Sequence, residues 1–165
     1  MNARGEIDLP DSVLERLDIA IASIHMPCFK DERTIDNVTA AYEKVMEHPY
    51  VDIIGHPDDG RFPVDMKRLV KKAKETGTLL EVNNSSLRPE GFRENTKENC
   101  LEMVKECKAQ GVMIVLGSDS HVDADIAEYP YAEEILRENR FFRKNWLPMF
   151  HWKNLKACIK HGKKL

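Results

Sequence analysis

The chain has little that would mark it as secreted, membrane-embedded or nucleic-acid-binding. Its 165 residues hold only 4 cysteines (Cys28, Cys100, Cys107 and Cys158), scattered without a CxxC pair, which excludes a disulfide scaffold. No apolar run approaches the ~18–20 residues that a helical membrane span needs. The opening Met-Asn-Ala-Arg-Gly-Glu lacks the apolar stretch of a signal peptide, so a reduced, cytoplasmic setting is expected. Neither sign of charge dominates: 25 basic against 28 acidic residues give a net of −3. That leaves no basic stripe for nucleic acid and no polybasic patch for an anionic membrane. There is no low-complexity tract, linker or repeat.

What is present is an alternation of short apolar runs and amphipathic segments. Apolar runs at 18–24, 50–54, 79–82 and 112–116 read as strands. Between them, 34–47 places Ile35, Val38, Ala41, Tyr42, Val45 and Met46 at helical spacing. A further helix beginning near Pro63 carries the stripe Met66, Leu69, Val70 and Ala73, with Gly77 to end it. Asn95 and Glu98 suggest a capping box for a helix that Gly111 terminates. Helical stretches are also expected at 12–17, 127–140 and 153–160, the last two separated by an aromatic segment at 141–152. On the helix before Gly111, Cys100 and Cys107 lie one heptad apart and are expected as buried thiols. Strands rich in Ile, Val and Leu, joined by helices, imply one α/β domain with a parallel sheet covered on both faces.

The chemistry lies where the strands end. Residues 115–121 read Val-Leu-Gly-Ser-Asp-Ser-His, ending in Asp119 and His121, which share a face if the extended geometry continues. The runs ending at His25 and at His56-Pro57 also close on an imidazole. Right-handed crossovers bring the C-terminal ends of all parallel strands to one edge, where α/β folds build their sites. Imidazole and carboxylate are metal-type ligands, and a metal there can activate water for hydrolysis.

In their order and spacing, several segments resemble the polymerase and histidinol phosphatase (PHP) superfamily, close to its small stand-alone phosphoesterases. They are Gly5-Glu-Ile-Asp8, Ala22-Ser-Ile-His25-Met-Pro27, Ile53-Ile-Gly-His56-Pro57, Leu80-Glu-Val-Asn-Asn-Ser-Ser86 and Leu116-Gly-Ser-Asp-Ser-His121. The resemblance implies a partial, distorted seven-stranded β/α (TIM-like) barrel, with 1–165 as its C-terminal portion. It implies hydrolysis of a small phosphate monoester through metal-activated water, with zinc, manganese or iron as cofactor. His25, His56, Asp119 and His121 are the implied metal ligands, Asp119 and His121 forming the catalytic pair. The family's opening His-x-His, a further histidine, an Asp-His pair and a bridging glutamate have no counterpart ahead of His25. The expectation is therefore a chain lacking roughly the first third of the family domain, completed by a second copy in a homodimer or by a missing N-terminal segment. An exposed strand edge points the same way.

Other residues carry two readings. Arg61, Arg88 and Arg93 fall just past strand ends, where guanidinium groups suit phosphate oxygens, though surface arginines are common. Glu81 and Asn83 either line the site or satisfy each other inside the sheet. Cys28, close to His25, is expected as a packed thiol, not a ligand. His48, His151 and His161 are expected at helix ends or in the tail with no further role, and the run 67–74 as a solvated helix face. The alternative to an enzyme is a non-catalytic module with partial metal binding.

Overall fold

The computed structural model describes residues 1–141, 146–148 and 152–160; His151 and His161 lie outside the described residues. The chain alternates helix and strand in the order α1 (Asp11–Leu14), β1 (Ile21–Ala22), α2 (Ile35–Met46), β2 (Ile53–Ile54), α3 (Met66–Thr76) and β3 (Leu79–Asn83). It continues with α4 (Thr96–Gln110), β4 (Ile114–Gly117), a short 3-10 turn at Asp123–Asp125, α5 (Pro130–Glu138), β5 (Trp146–Pro148) and α6 (Trp152–Lys156). The strands form one parallel sheet in the order β1-β2-β3-β4-β5. Strands 1–4 are joined by helices, and β5 extends the ladder beyond β4. Sequential order without reversal means each crossover steps the same way around the sheet.

Two-residue periodicity sorts the strand side chains onto two faces. Ile54, Leu80, Val82, Ile114 and Leu116 join the large apolar cluster made with α2, α3, α4 and α5. The opposite face carries Ile53, Leu79 and Val115, covered by Leu155 and Ile159. Farther along that second face, β3 replaces apolar side chains with Glu81 and Asn83, both buried. The expected cover on both faces is thus uneven: helices α2–α5 take one face, and Ile21 at the β1 edge remains 45% exposed. No helix among the described residues is long and apolar enough to cross a membrane.

Helix boundaries follow local chemistry more closely than the sequence pattern suggested. Thr34 caps α2 by accepting from the amide of Asn37. Asp65, not Pro63, opens α3, its carboxylate accepting from Arg68 N at 3.0 Å. The expected capping box on α4 does not form: Asn95 is left-handed at φ 50° and makes no side-chain cap. The turn there is held by tertiary bonds instead, with Gly60 N–H donating to Glu94 O at 2.7 Å and Thr96 Oγ1 to Ser86 O at 2.8 Å. Gly77 and Gly111 end α3 and α4 at φ 69° and 72°, as their positions predict. The strands are shorter than their apolar runs because residues such as Ile19 and Val51 fill the core without joining the ladder. The expected helix at 153–160 shortens to α6.

All four cysteines are free, with Cys100 and Cys107 buried as expected; Cys28, expected to be packed, is exposed. Burial pushes the Cys100 thiol well up, and that of Cys107 to about 12. In an unfolded chain a thiol ionises near ~8.5. Above that pH the unfolded state carries fewer protons than the folded one, so stability falls as pH rises toward the folded pKa. Alkylation should therefore label Cys28 in the native protein and reach Cys100 and Cys107 only on unfolding. The urea midpoint should drop between about pH 8 and about pH 10, less steeply in Cys107→Ala. Rapid native-state labelling of Cys100 would contradict this packing.

Candidate functional site

The strands deliver their C-terminal ends to one edge, and the polar residues that follow them converge there. His25 comes after β1, His56 after β2, and Asp119 after β4, while Glu81 and Asn83 close β3. The rings of His25 and His56 lie 5.1 Å apart, tilted by 55°. His56 is buried and left-handed at φ 35°, and Asp119 is left-handed at φ 50°. Such backbone in non-glycine residues costs of order 1–3 kcal/mol and persists only where the surroundings impose it.

Glu81 is what imposes it on His56. Its Oε2 accepts the His56 backbone N–H at 2.8 Å and the Asn83 amide at 3.2 Å. Gly55 makes the approach possible, since a Cβ there would run into Ser23 Oγ and come within 3.4 Å of Glu81 Oε2. Burial raises the Glu81 pKa, opposed by these two hydrogen bonds. Of the two readings open for Glu81 and Asn83, both have merit: they bond each other, and Glu81 also sets the turn that presents His56.

Arg93 is the cation at the centre. Its side chain is only 8% exposed, and its guanidinium bonds Ser86 Oγ at 2.9 Å and Asp119 Oδ2 at 3.3 Å from both terminal nitrogens. Asp119 shows the balance: burial raises its pKa, but Arg93 and Asn83 prevail and hold it below the usual carboxylate value. Burial lowers the His25 pKa, assisted by the N-terminal amine and Arg93 and opposed by Asp119. For His56, burial, Arg93 and His25 together bring the pKa to about 4. Both imidazoles are therefore neutral at neutral pH, with lone pairs available. His56 Nδ1 is buried without a hydrogen-bond partner.

The predicted residues divide. His25, His56, Asp119, Arg93 and Arg61 share this edge, Arg61 acting electrostatically on His25. His121 does not join them. The strand geometry stops at Gly117, Asp119 turns left-handed, and the exposed His121 ring bonds the Asp119 carbonyl of its own loop at 3.0 Å. Arg88 is drawn aside to Asp125 at 2.6 Å, tying two loops together. Among the described residues, no three His, Cys, Asp or Glu side chains are arranged to hold one metal ion. A surface hollow lined by Met1, Arg4, Ile7, Pro27, Cys28 and Lys30 lies beside the His25 loop, and neither histidine lines it. His48 pairs with Asp11 at 3.2 Å, in keeping with a structural role at the end of α2.

Three residues went unmarked in the sequence. Asp59 grips Arg61 through two nitrogens, at 2.9 and 2.6 Å. Its pKa stays low because Arg61 outweighs the opposing effect of burial. Asp58 is fully buried, neither carboxylate oxygen has a hydrogen-bond partner, and burial raises its pKa to about 8. Phe92 stands exposed beside Arg61 and Arg93. An Asp-Asp pair soon after a strand-end histidine was the available signal for the first two; a lone aromatic in a loop gave none.

Neutral imidazoles and an ion-paired carboxylate thus lie at the C-terminal edge of a parallel sheet, where α/β folds commonly place their sites. Comparison with known proteins points in a definite direction. The chain is similar to a protein named probable phosphatase from Clostridium novyi, 48% identical over 133 residues, covering 81% of this chain and 53% of that protein. Proteins of the same name from Thermoanaerobacter sp. strain X514 and Acetivibrio thermocellus are 39% and 40% identical, covering 83% and 81% of this chain and 55% and 54% of their own lengths. The chain spans about half the length of the curated relatives it matches. No protein-family model matches it.

If Glu81 holds the His56 turn, Glu81→Leu leaves the His56 N–H without its acceptor. Hydrogen exchange at that amide should then accelerate about 5-fold, the scale of losing a hydrogen bond worth about 1 kcal/mol. Unchanged protection would show that the turn stands without Glu81.

Proposed function

We propose that the chain is part of a metal-dependent phosphoesterase of PHP type that hydrolyses a small phosphate monoester. One observation carries the reading: two neutral imidazoles lie side by side against an Arg-paired aspartate at the C-terminal sheet edge. Similarity to proteins named as phosphatases supports the reaction class. Sequential strand order, with helices α2–α5 on one face, supports the sheet as an arc of a TIM-like barrel.

By donor chemistry, imidazole nitrogen from His25 and His56 and carboxylate oxygen from Asp119 suit a divalent ion of zinc, manganese or iron type, although these described residues alone do not form a three-ligand group. The orphaned His56 Nδ1 supports this fit. His121, exposed and turned onto the Asp119 carbonyl of its own loop, stays outside that set. A bound divalent cation would supply Lewis acidity, easing deprotonation of water and offsetting charge on phosphate oxygens. The chain's own residues do the rest. Asp59 fixes two nitrogens of Arg61, leaving its remaining N–H groups for phosphate oxygens. Arg93 keeps Asp119 ionised and adds positive charge for an anionic ester. Arg88, committed to Asp125, orders the loop beyond β4.

A second reading, a non-catalytic module that binds one cation loosely, is favoured by the absence of a three-ligand group among the described residues. Completion by a second copy or by further polypeptide reconciles that absence with catalysis, because catalytic zinc normally takes three protein ligands. The deciding experiment is p-nitrophenyl phosphate turnover with added Mn²⁺ or Zn²⁺. His25→Ala and His56→Ala should lose at least ~100-fold in kcat/KM, or about 2.7 kcal/mol, and His121→Ala less. Equal turnover in all three variants would reject the proposal. Absent turnover and absent retained metal would favour the module.

A further inference from the structure

We propose that the exposed ring of Phe92, held by the guanidinium groups of Arg61 and Arg93, is the leaving-group subsite. The substrate is then a phosphate monoester with a flat aromatic leaving group, an inference that rests on the phosphoesterase reading. Among the described residues Phe92 is the most exposed large apolar side chain, at 73%. Ordinary folding leaves single apolar residues at the surface without consequence. This one is held in place. Arg61 Cζ lies 4.9 Å and Arg93 Cζ 5.3 Å from the ring centroid, within the range of cation–π attraction.

Both guanidinium groups are themselves anchored. Asp59, whose side chain is 3% exposed, grips Arg61, and Ser86 and Asp119 hold Arg93. The Gly60–Glu94 backbone bond clips together the two loops that carry them. A solvent-facing ring is thus fixed at no gain in burial, an arrangement that favours a visiting flat group by reducing the ordering cost of binding.

Its position gives the ligand two ends. The cations beside the ring also act on the histidines, Arg61 on His25 and Arg93 on both. An anionic phosphate is thereby drawn toward the imidazoles while the leaving group extends onto the ring. The loops leaving the same sheet edge add exposed Met26 at 46%, Val122 at 56% and Ile126 at 66%. The Arg61 N–H groups that Asp59 leaves free favour an anionic occupant over an uncharged protein surface.

The test compares naphthyl phosphate with glycerol phosphate on the Mn²⁺-loaded protein. Wild type should prefer the aryl ester. Phe92→Ala and Phe92→Leu should each cut that preference about tenfold through KM, the scale expected for lost aromatic stacking, and Phe92→Trp should restore it. Turnover of both esters with an unchanged preference would overturn the subsite and leave the phosphoesterase reading standing. If neither ester is hydrolysed, naphthyl phosphate fluorescence polarisation decides. Binding weakened about tenfold in Phe92→Ala would support the subsite while the phosphoesterase reading fails, whereas absent or unaffected binding would overturn it. A dimer that Phe92→Ala converts to monomer in light scattering would also overturn it, because a second copy would then be the ring's occupant.

Discussion

The ion pair between Arg93 and Asp119 governs the geometry and electrostatics of this site. A guanidinium only 8% exposed needs fixed partners, and the loops beyond β3 and β4 supply them through Ser86 and Asp119. Without Asp119 that largely buried cation would keep only the longer 3.9 Å ion pair to Asp59. The pair therefore pins loops from neighbouring strands and, second to burial, biases the protonation of Asp119 and both histidines. Asp119 stays ionised despite burial, and both histidines stay neutral partly because a cation sits beside them.

The sheet makes this arrangement possible by dividing its labour between faces and ends. The face toward α2–α5 is apolar along its length, burying side chains such as Leu80 and Ile114 completely. Its opposite face is apolar at Leu79 and Val115 but polar at Glu81 and Asn83. Polar groups inside a fold must find hydrogen-bond partners, and Glu81 finds the His56 amide. The left-handed turn at His56 and the absence of a Cβ at Gly55 are local consequences of that contact. Strain at His56 is thus offset within the same cluster that presents its ring.

Much of this was legible in the sequence. A parallel sheet was legible from the alternating apolar runs and amphipathic segments, and its C-terminal edge from the chirality of crossovers. The convergence of His25, His56 and Asp119 on one edge was legible because each follows an apolar run. The pairing of Asp119 with His121 was not, because it assumed extended backbone where the chain turns left-handed after Gly117. The role of Asn95 was misread for a similar reason: contacts to the loop at Gly60 override local capping chemistry. Asp59 and Phe92 became visible only through their arginine partners, which are distant enough in sequence that no local pattern reports them. Asn84 is a further case, its Oδ1 accepting from the Tyr131 and Ala132 amides at 3.0 and 3.1 Å to hold the start of α5.

The most direct test of the central proposal, that His25, His56 and Asp119 contribute ligands to a divalent-ion site, is a Mn²⁺ titration followed by electron paramagnetic resonance. The account predicts saturable binding by the wild-type chain, weakened at least ~10-fold, or about 1.4 kcal/mol, in both His56→Ala and Asp119→Asn. Mn²⁺ that binds wild type and both variants equally, or binds none of them, would contradict it.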